Sequence, residues 1–182
     1  MAAIVSSKEF APTGTWAADP VHSNVSFEIA YAGVNTFRGS FREFSATLDG
    51  SSLEGSAKVA SVDVKDEQLN GHLQTPDFFD AQRYPEIGFK ATELTRGPDH
   101  SVTGKGELTI KGVTQPITLQ GTIAPEASVD PFGRERVGLR LESEIDRTQY
   151  GVSWNAPNQG GGDYLGNDVK LIAELAFVKQ EA

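Results

Sequence analysis

The sequence predicts an all-β protein, a single antiparallel β-barrel with one short helix. Two patterns carry that expectation. Apolar and polar residues alternate with a period of two in one segment after another, and turn-forming clusters separate those segments. The 182 residues include 19 Gly and 9 Pro among 38% apolar residues, which suits many short elements joined by turns. That length fits one domain able to bury its own core. Residues 1–13 are expected to form a flexible N-terminal segment and residues 14–182 the barrel domain.

The first clear strand places Val25, Phe27, Ile29 and Tyr31 on one face, with Asn24, Ser26 and Glu28 on the other. Next, Phe37, Gly39 and Phe41 share one parity, but Phe44, Ala46 and Leu48 share the opposite one. A β-bulge near Arg42-Glu43 reconciles the two phases. Asp66 to Leu73 reads as the short helix, acidic at its start and ended by Thr75-Pro76. Alternation resumes with Ile87, Phe89 and Ala91, then Leu108 and Ile110, then Ile117, Leu119, Gly121 and Ile123. Val137, Leu139, Leu141 and Ile145 follow, and the last strand presents Val169, Leu171, Leu175 and Phe177. Each strand has one wet and one dry face, as an antiparallel sheet requires. Closing such a sheet removes its exposed edges.

Charge and chemistry narrow the function. The formal net charge is −9, and Lys and Arg are spread singly. Such a field repels phosphate backbones, so nucleic acid is not an expected partner. There is no cysteine, hence no disulfide or thiolate chemistry. His22, His72 and His100 share no metal-ligand spacing. Nucleophile-elbow, phosphate-loop and dinucleotide signatures are lacking, so no cofactor is expected. Gly160-Gly161-Gly162 reads as a mobile loop. No stretch approaches the length of a spanning helix. Met1 to Pro12 contains Lys8 and Glu9 and no signal-like apolar run, so the expected location is cytoplasmic.

The dry face mixes large side chains with small ones: Ala91, Gly104, Gly106, Gly121, Ser143 and Ala173. Glycine inside a strand is one sign of a closely approaching ligand, and a barrel of this size either fills with side chains or leaves room for one small guest. A filled barrel whose glycines relieve curvature explains the same pattern.

Several blocks, in order, resemble the YceI-like family. They are Trp16-Ala17-Ala18-Asp19-Pro20-Val21-His22-Ser23-Asn24-Val25-Ser26-Phe27; Gly33-Val34 with Gly39-Ser40-Phe41 and Phe44; and His72-Leu73 with Asp77-Phe78-Phe79-Asp80, Tyr84-Pro85 and Phe89. Gly106 to Thr114, Asp130-Pro131-Phe132-Gly133, Arg147 with Tyr150-Gly151, Trp154-Asn155 and Gly166-Asn167-Asp168-Val169 extend the likeness to the C-terminus. One departure is Tyr31, where many members carry His. The resemblance implies a lipocalin-like, eight-stranded barrel that binds a polyisoprenoid or a similar long-chain lipid, such as a fatty-acid derivative or a quinone-like molecule. It also implies that a homodimer can form.

On that reading the ligand is lined by Phe27, Ile29, Phe41, Phe89, Leu108, Leu119, Leu139, Leu141, Trp154, Leu171 and Leu175. Arg38, His72 and Asn155 are the candidate head-group contacts, and none is catalytic. Two rival functions are weighed against lipid carriage. An enzyme acting on an isoprenoid or quinone-like substrate needs a buried acid or base, for which Glu93 and Asp63 are the candidates. A stress-related interaction module would have a filled barrel and use the Asn158 to Gly166 loop.

Overall fold

The computed structural model describes residues 10–181. Its elements begin with β1 (Thr15–Ala18), β2 (Asn24–Tyr31), β3 (Asn35–Phe41), β4 (Phe44–Asp49), β5 (Ser52–Lys58) and β6 (Val62–Asp63). The helix α1 (Glu67–Leu73) precedes β7 (Glu86–Ala91), β8 (Thr95–Arg96), β9 (Ser101–Ile110) and β10 (Val113–Ile123). The chain ends with β11 (Ser128–Val129), β12 (Glu135–Asp146) and β13 (Leu165–Lys179).

All pairings are antiparallel, and the sheet closes into the expected eight-stranded barrel. The long strand β13 makes closure possible. One edge pairs with β12 from Arg136↔Val178 to Asp146↔Asp168. The other edge pairs first with β2 and then, beyond it, with β1. Thus β1 and β2 lie end to end as one stave, and β3 with β4 forms its bent neighbour. The remaining staves follow as β5, β7, β9 and β10, with β6, β8 and β11 as short additions.

The phase slip is a two-residue break between β3 and β4. Arg42 donates its N–H to the Ser61 carbonyl, and Glu43 donates its N–H to Ser61 Oγ, both at 3.0 Å. Those bonds replace the lost ladder contacts, so Phe41 and Phe44 both turn inward despite opposite parity. Helix α1 starts where the acidic signal placed it. Asp66 Oδ1 accepts from the Leu69 N–H at 2.8 Å, the N-cap bond that its short acidic side chain is suited to make.

The interior is unequal along the barrel axis. At the end built by β1, the first residues of β5 and β12 and the last residues of β4 and β13, side chains fill the lumen. Trp16, Leu48 and Phe177 are wholly buried there, and Val102, Val137 and Leu139 nearly so. Trp16 Nε1 donates to the Pro12 carbonyl at 3.0 Å. The segment expected to be flexible through residue 13 therefore includes packed residues, since Phe10 and Ala11 join the core. Residues 1–9 of that expectation lie outside the described residues. No helix of the described residues is long and apolar enough to cross a membrane.

Candidate functional site: a half-barrel cavity

The other half of the lumen is open space. A cavity of about 370 Å³ lies above the plug and beneath α1, within the usual span for small-molecule sites. Strand β2 contributes Val25, Phe27, Ile29 and Tyr31; β3 contributes Phe37 and Phe41; β4 contributes Phe44 and Ala46. Leu69, His72 and Leu73 of α1 cover it with Phe78 and Phe79 of the following turn. Ile87, Phe89, Leu108, Ile110, Ile117, Leu119, Leu141, Ile145, Val169, Leu171 and Leu175 complete most of the wall. The lining on β13 runs from Leu165 to Leu175, on the order of 25 Å along the axis for a strand rising about 3.3 Å per residue and tilted 35–45°. The space is long and its wall is mostly apolar.

Aromatic rings edge this space. The His72 and Trp154 ring centroids lie 5.1 Å apart, Trp154 and Tyr164 6.3 Å, and Tyr164 and Tyr31 5.0 Å. His72 is 36% exposed and is hydrogen-bonded through Nε2 to Asp77 at 3.0 Å, which places it on the rim. The Tyr164 hydroxyl donates to Tyr31, and that bond together with burial raises its pKa.

Ten of the expected lining residues share this cavity: Phe27, Ile29, Phe41, Phe89, Leu108, Leu119, Leu141, Trp154, Leu171 and Leu175. Leu139 does not. Its parity is inward but its height puts it in the plug. His72 borders the cavity, whereas Arg38 and Asn155 do not. Arg38 stands on the outer face and gives its Nε to Glu28 at 3.0 Å, its cross-strand neighbour. Asn155 fastens the loop to β13, accepting from the Leu165 N–H at 2.9 Å and donating to its carbonyl at 2.8 Å. Neither candidate acid of the enzyme reading reaches the lumen. Glu93 is exposed, and Asp63 pairs with Arg42 outside the cavity. The Gly160 to Gly162 stretch is a turn in which Asn158 donates its N–H to the Gly162 carbonyl at 2.9 Å, and Pro157 bridges Asp163.

The small residues are also redistributed. Ser143 and Ala173 line the cavity; Ala91, Gly104, Gly106 and Gly121 do not. A Cβ at Gly104 would meet Leu94 at 2.9 Å, and one at Gly106 would meet the Lys90 carbonyl at the same distance. These glycines admit neighbouring protein, not ligand.

Two residues that the sequence reading did not assign to the lining also belong to the wall. Arg147 continues the inward parity of Leu141, Ser143 and Ile145, the signal that could have marked it, and Tyr150 follows one turn later. Arg147 is 5% exposed and Tyr150 1%. Arg147 Nε donates to the Gly166 carbonyl at 2.8 Å, and Nη1 donates to the carbonyls of Val152 and Trp154 at 2.8 and 2.9 Å. Nη2 of Arg147, the hydroxyl of Tyr150 and Oγ of Ser143 have no hydrogen-bond partner among the described residues. Burial depresses the Arg147 pKa while Asp146 and Asp163 oppose it, and a guanidinium remains charged regardless. Burial pushes the Tyr150 hydroxyl up. Among the described residues no group of three or more His, Cys, Asp or Glu is placed to hold a metal ion.

The model of the YceI-like domain matches residues 16–177. The chain belongs to the YceI-like family. UPF0312 proteins of Staphylococcus aureus and Staphylococcus epidermidis are each 30% identical to it over 166 residues, covering 87% of this chain and 94% of theirs. The YceI protein of Campylobacter jejuni superposes with a TM-score of 0.71 at 25% identity, over 84% of this chain and 91% of its own. Two further structures show the same fold at lower identity. BcnA of Burkholderia cenocepacia has a TM-score of 0.72 at 23% identity, covering 87% of this chain and 98% of its own. A polyisoprenoid binding domain from Saccharophagus degradans has 0.72 at 13%, covering 93% and 100%.

The YceI-like signature has a physical reading in this chain. Asp19 binds His22 Nδ1 at 2.7 Å and accepts from Arg136, while Ser23 Oγ accepts from the Ala176 N–H at 2.9 Å. The opening block thus clamps the β1–β2 corner to β12 and β13 at the plugged end. The block around Phe78 and Phe79 builds the cavity cover.

Proposed function

We propose that this YceI-like protein binds one long-chain lipid in its barrel and carries or sequesters it without chemical change. The observation that supports this most is the length and apolar wall of the half-barrel cavity. Burying about ten methylenes yields about 8 kcal/mol at about 0.8 kcal/mol each, a gross figure near micromolar affinity before the costs of association. A compact polar metabolite would gain nothing from such a wall. A polyisoprenoid is the favoured lipid class because a structural neighbour of the same fold is a polyisoprenoid binding domain. A homodimer extends the proposal on the family resemblance; sedimentation with and without lipid tests it.

Native mass spectrometry of freshly purified protein, paired with organic extraction, tests the reading. The expected result is added mass matching an extractable long chain. A homogeneous apo mass together with no uptake of a fluorescent lipid would overturn it.

A further inference from the structure

Arg147 and Tyr150 sit together on the short 3₁₀ turn Arg147–Tyr150 that follows β12. Side chains three apart on such a turn eclipse one another, so both project to one side. Both belong to the cavity wall, and each carries a buried polar atom that the described residues leave unpaired. A buried donor without a partner is costly, and native proteins retain few of them. Among the described residues, every hydrogen-bond partner of the Arg147 guanidinium is a neutral backbone carbonyl. Its charge is therefore buried against an apolar wall with no carboxylate bonded to it, a situation that an incoming anion relieves.

Resting on the lipid-binding reading, we infer that Arg147 and Tyr150 form an internal receptor for an anionic end of the lipid, a carboxylate or a phosphate. Arg147 Nη2 and the Tyr150 hydroxyl each supply one donor, and the chain then runs along the apolar wall. Ser143, at the same parity on β12 and also unpaired, offers a further donor deeper in the cavity. The net charge of −9 on the whole protein makes a buried anion site more informative, since the surface gives no general attraction for such ligands.

Equilibrium binding of radiolabelled hexadecanoate and hexadecanol, both below micelle-forming concentrations at about pH 8, separates the head group from the chain. Wild type is expected to prefer the acid about tenfold or more, the effect of a hydrogen bond to a charged group. Tyr150→Phe removes one hydroxyl and is expected to lower the ratio of acid to alcohol affinity. Arg147→Gln is expected to abolish the preference; because Arg147 also holds the Val152–Trp154 backbone, its melting curve is measured alongside. Equal binding of acid and alcohol by wild type would overturn the inference and leave lipid binding standing. A preference unchanged in Tyr150→Phe and in folded Arg147→Gln would overturn it as well. Binding of neither lipid would remove the underlying reading too.

Discussion

Arg136, on β12, and Asp19, just beyond β1, meet in a charged hydrogen bond of 3.0 Å although 117 residues separate them. The same guanidinium gives its Nε to Asp130 at 2.7 Å, so one cation joins two carboxylates beside the plug. Both carboxyls are held well below the ordinary range, Asp19 by bonds from His22 and Arg136, Asp130 by its bond from Arg136. The folded protein therefore binds these protons more weakly than the unfolded chain does. The two groups contribute stability above about pH 4 that is lost as the pH falls below it. Arg136→Met is expected to lower the urea midpoint at about pH 7 and to flatten its decline toward about pH 3. Parallel midpoint curves for variant and wild type would show that the triad carries no such dependence.

The division of the lumen gives two substitutions with opposite consequences. Leu48→Ala in the plug removes a wholly buried side chain, for an expected loss of about 2–5 kcal/mol, with lipid affinity retained. Ala46→Phe, two residues earlier but facing the cavity, fills open space. It is expected to cost no more than about 1–3 kcal/mol and to weaken lipid binding about tenfold or more. Denaturation midpoints and lipid titrations on both variants check this. Equal losses of affinity would mean that plug and cavity respond as one space.

What the sequence revealed follows the range of each signal. Strand alternation is local, so the inward faces of Phe27, Phe89, Leu119 and Leu171 were legible from their neighbours alone. Height along the barrel axis is not local, and Leu139 shows the consequence: correct face, wrong half. Arg38 and Asn155 fall outside the cavity lining because their partners, Glu28 and Leu165, are set by strand pairing and loop docking. Arg147 and Tyr150 entered only as part of a family block and not as lining, because a cation after a strand gives no local sign of burial. Only the buried turn reveals that it faces the lumen.

Glycine placement offers a sharper check on that lesson. Gly121 opposes Leu141 across the β10–β12 ladder, and a Cβ there would overlap the Arg140 carbonyl. Gly121→Ala is expected to destabilise the barrel by about 1–3 kcal/mol. Gly138→Ala, whose Cβ would meet only Ala124 at 3.9 Å, is expected to be neutral or to stabilise by up to about 1 kcal/mol. Thermal melts of the two variants give the comparison. A destabilised Gly138→Ala beside a tolerant Gly121→Ala would contradict the assignment of Gly121 to close strand packing.

The two tryptophans report on the two halves of the barrel separately. Trp16 is wholly buried in the plug, while Trp154 lines the cavity between His72, Phe78 and Tyr164. A lipid that enters replaces the surroundings of Trp154 with hydrocarbon and leaves those of Trp16 as they were. Lipid addition is therefore expected to shift the emission of wild type to shorter wavelength, and Trp154→Phe is expected to abolish that shift with binding largely preserved. Trp16→Phe should keep the full response at lower total intensity, provided the plug survives its loss of volume. A shift that persists in Trp154→Phe would place the lipid against Trp16, and the filled half of the barrel would then have to open to admit it.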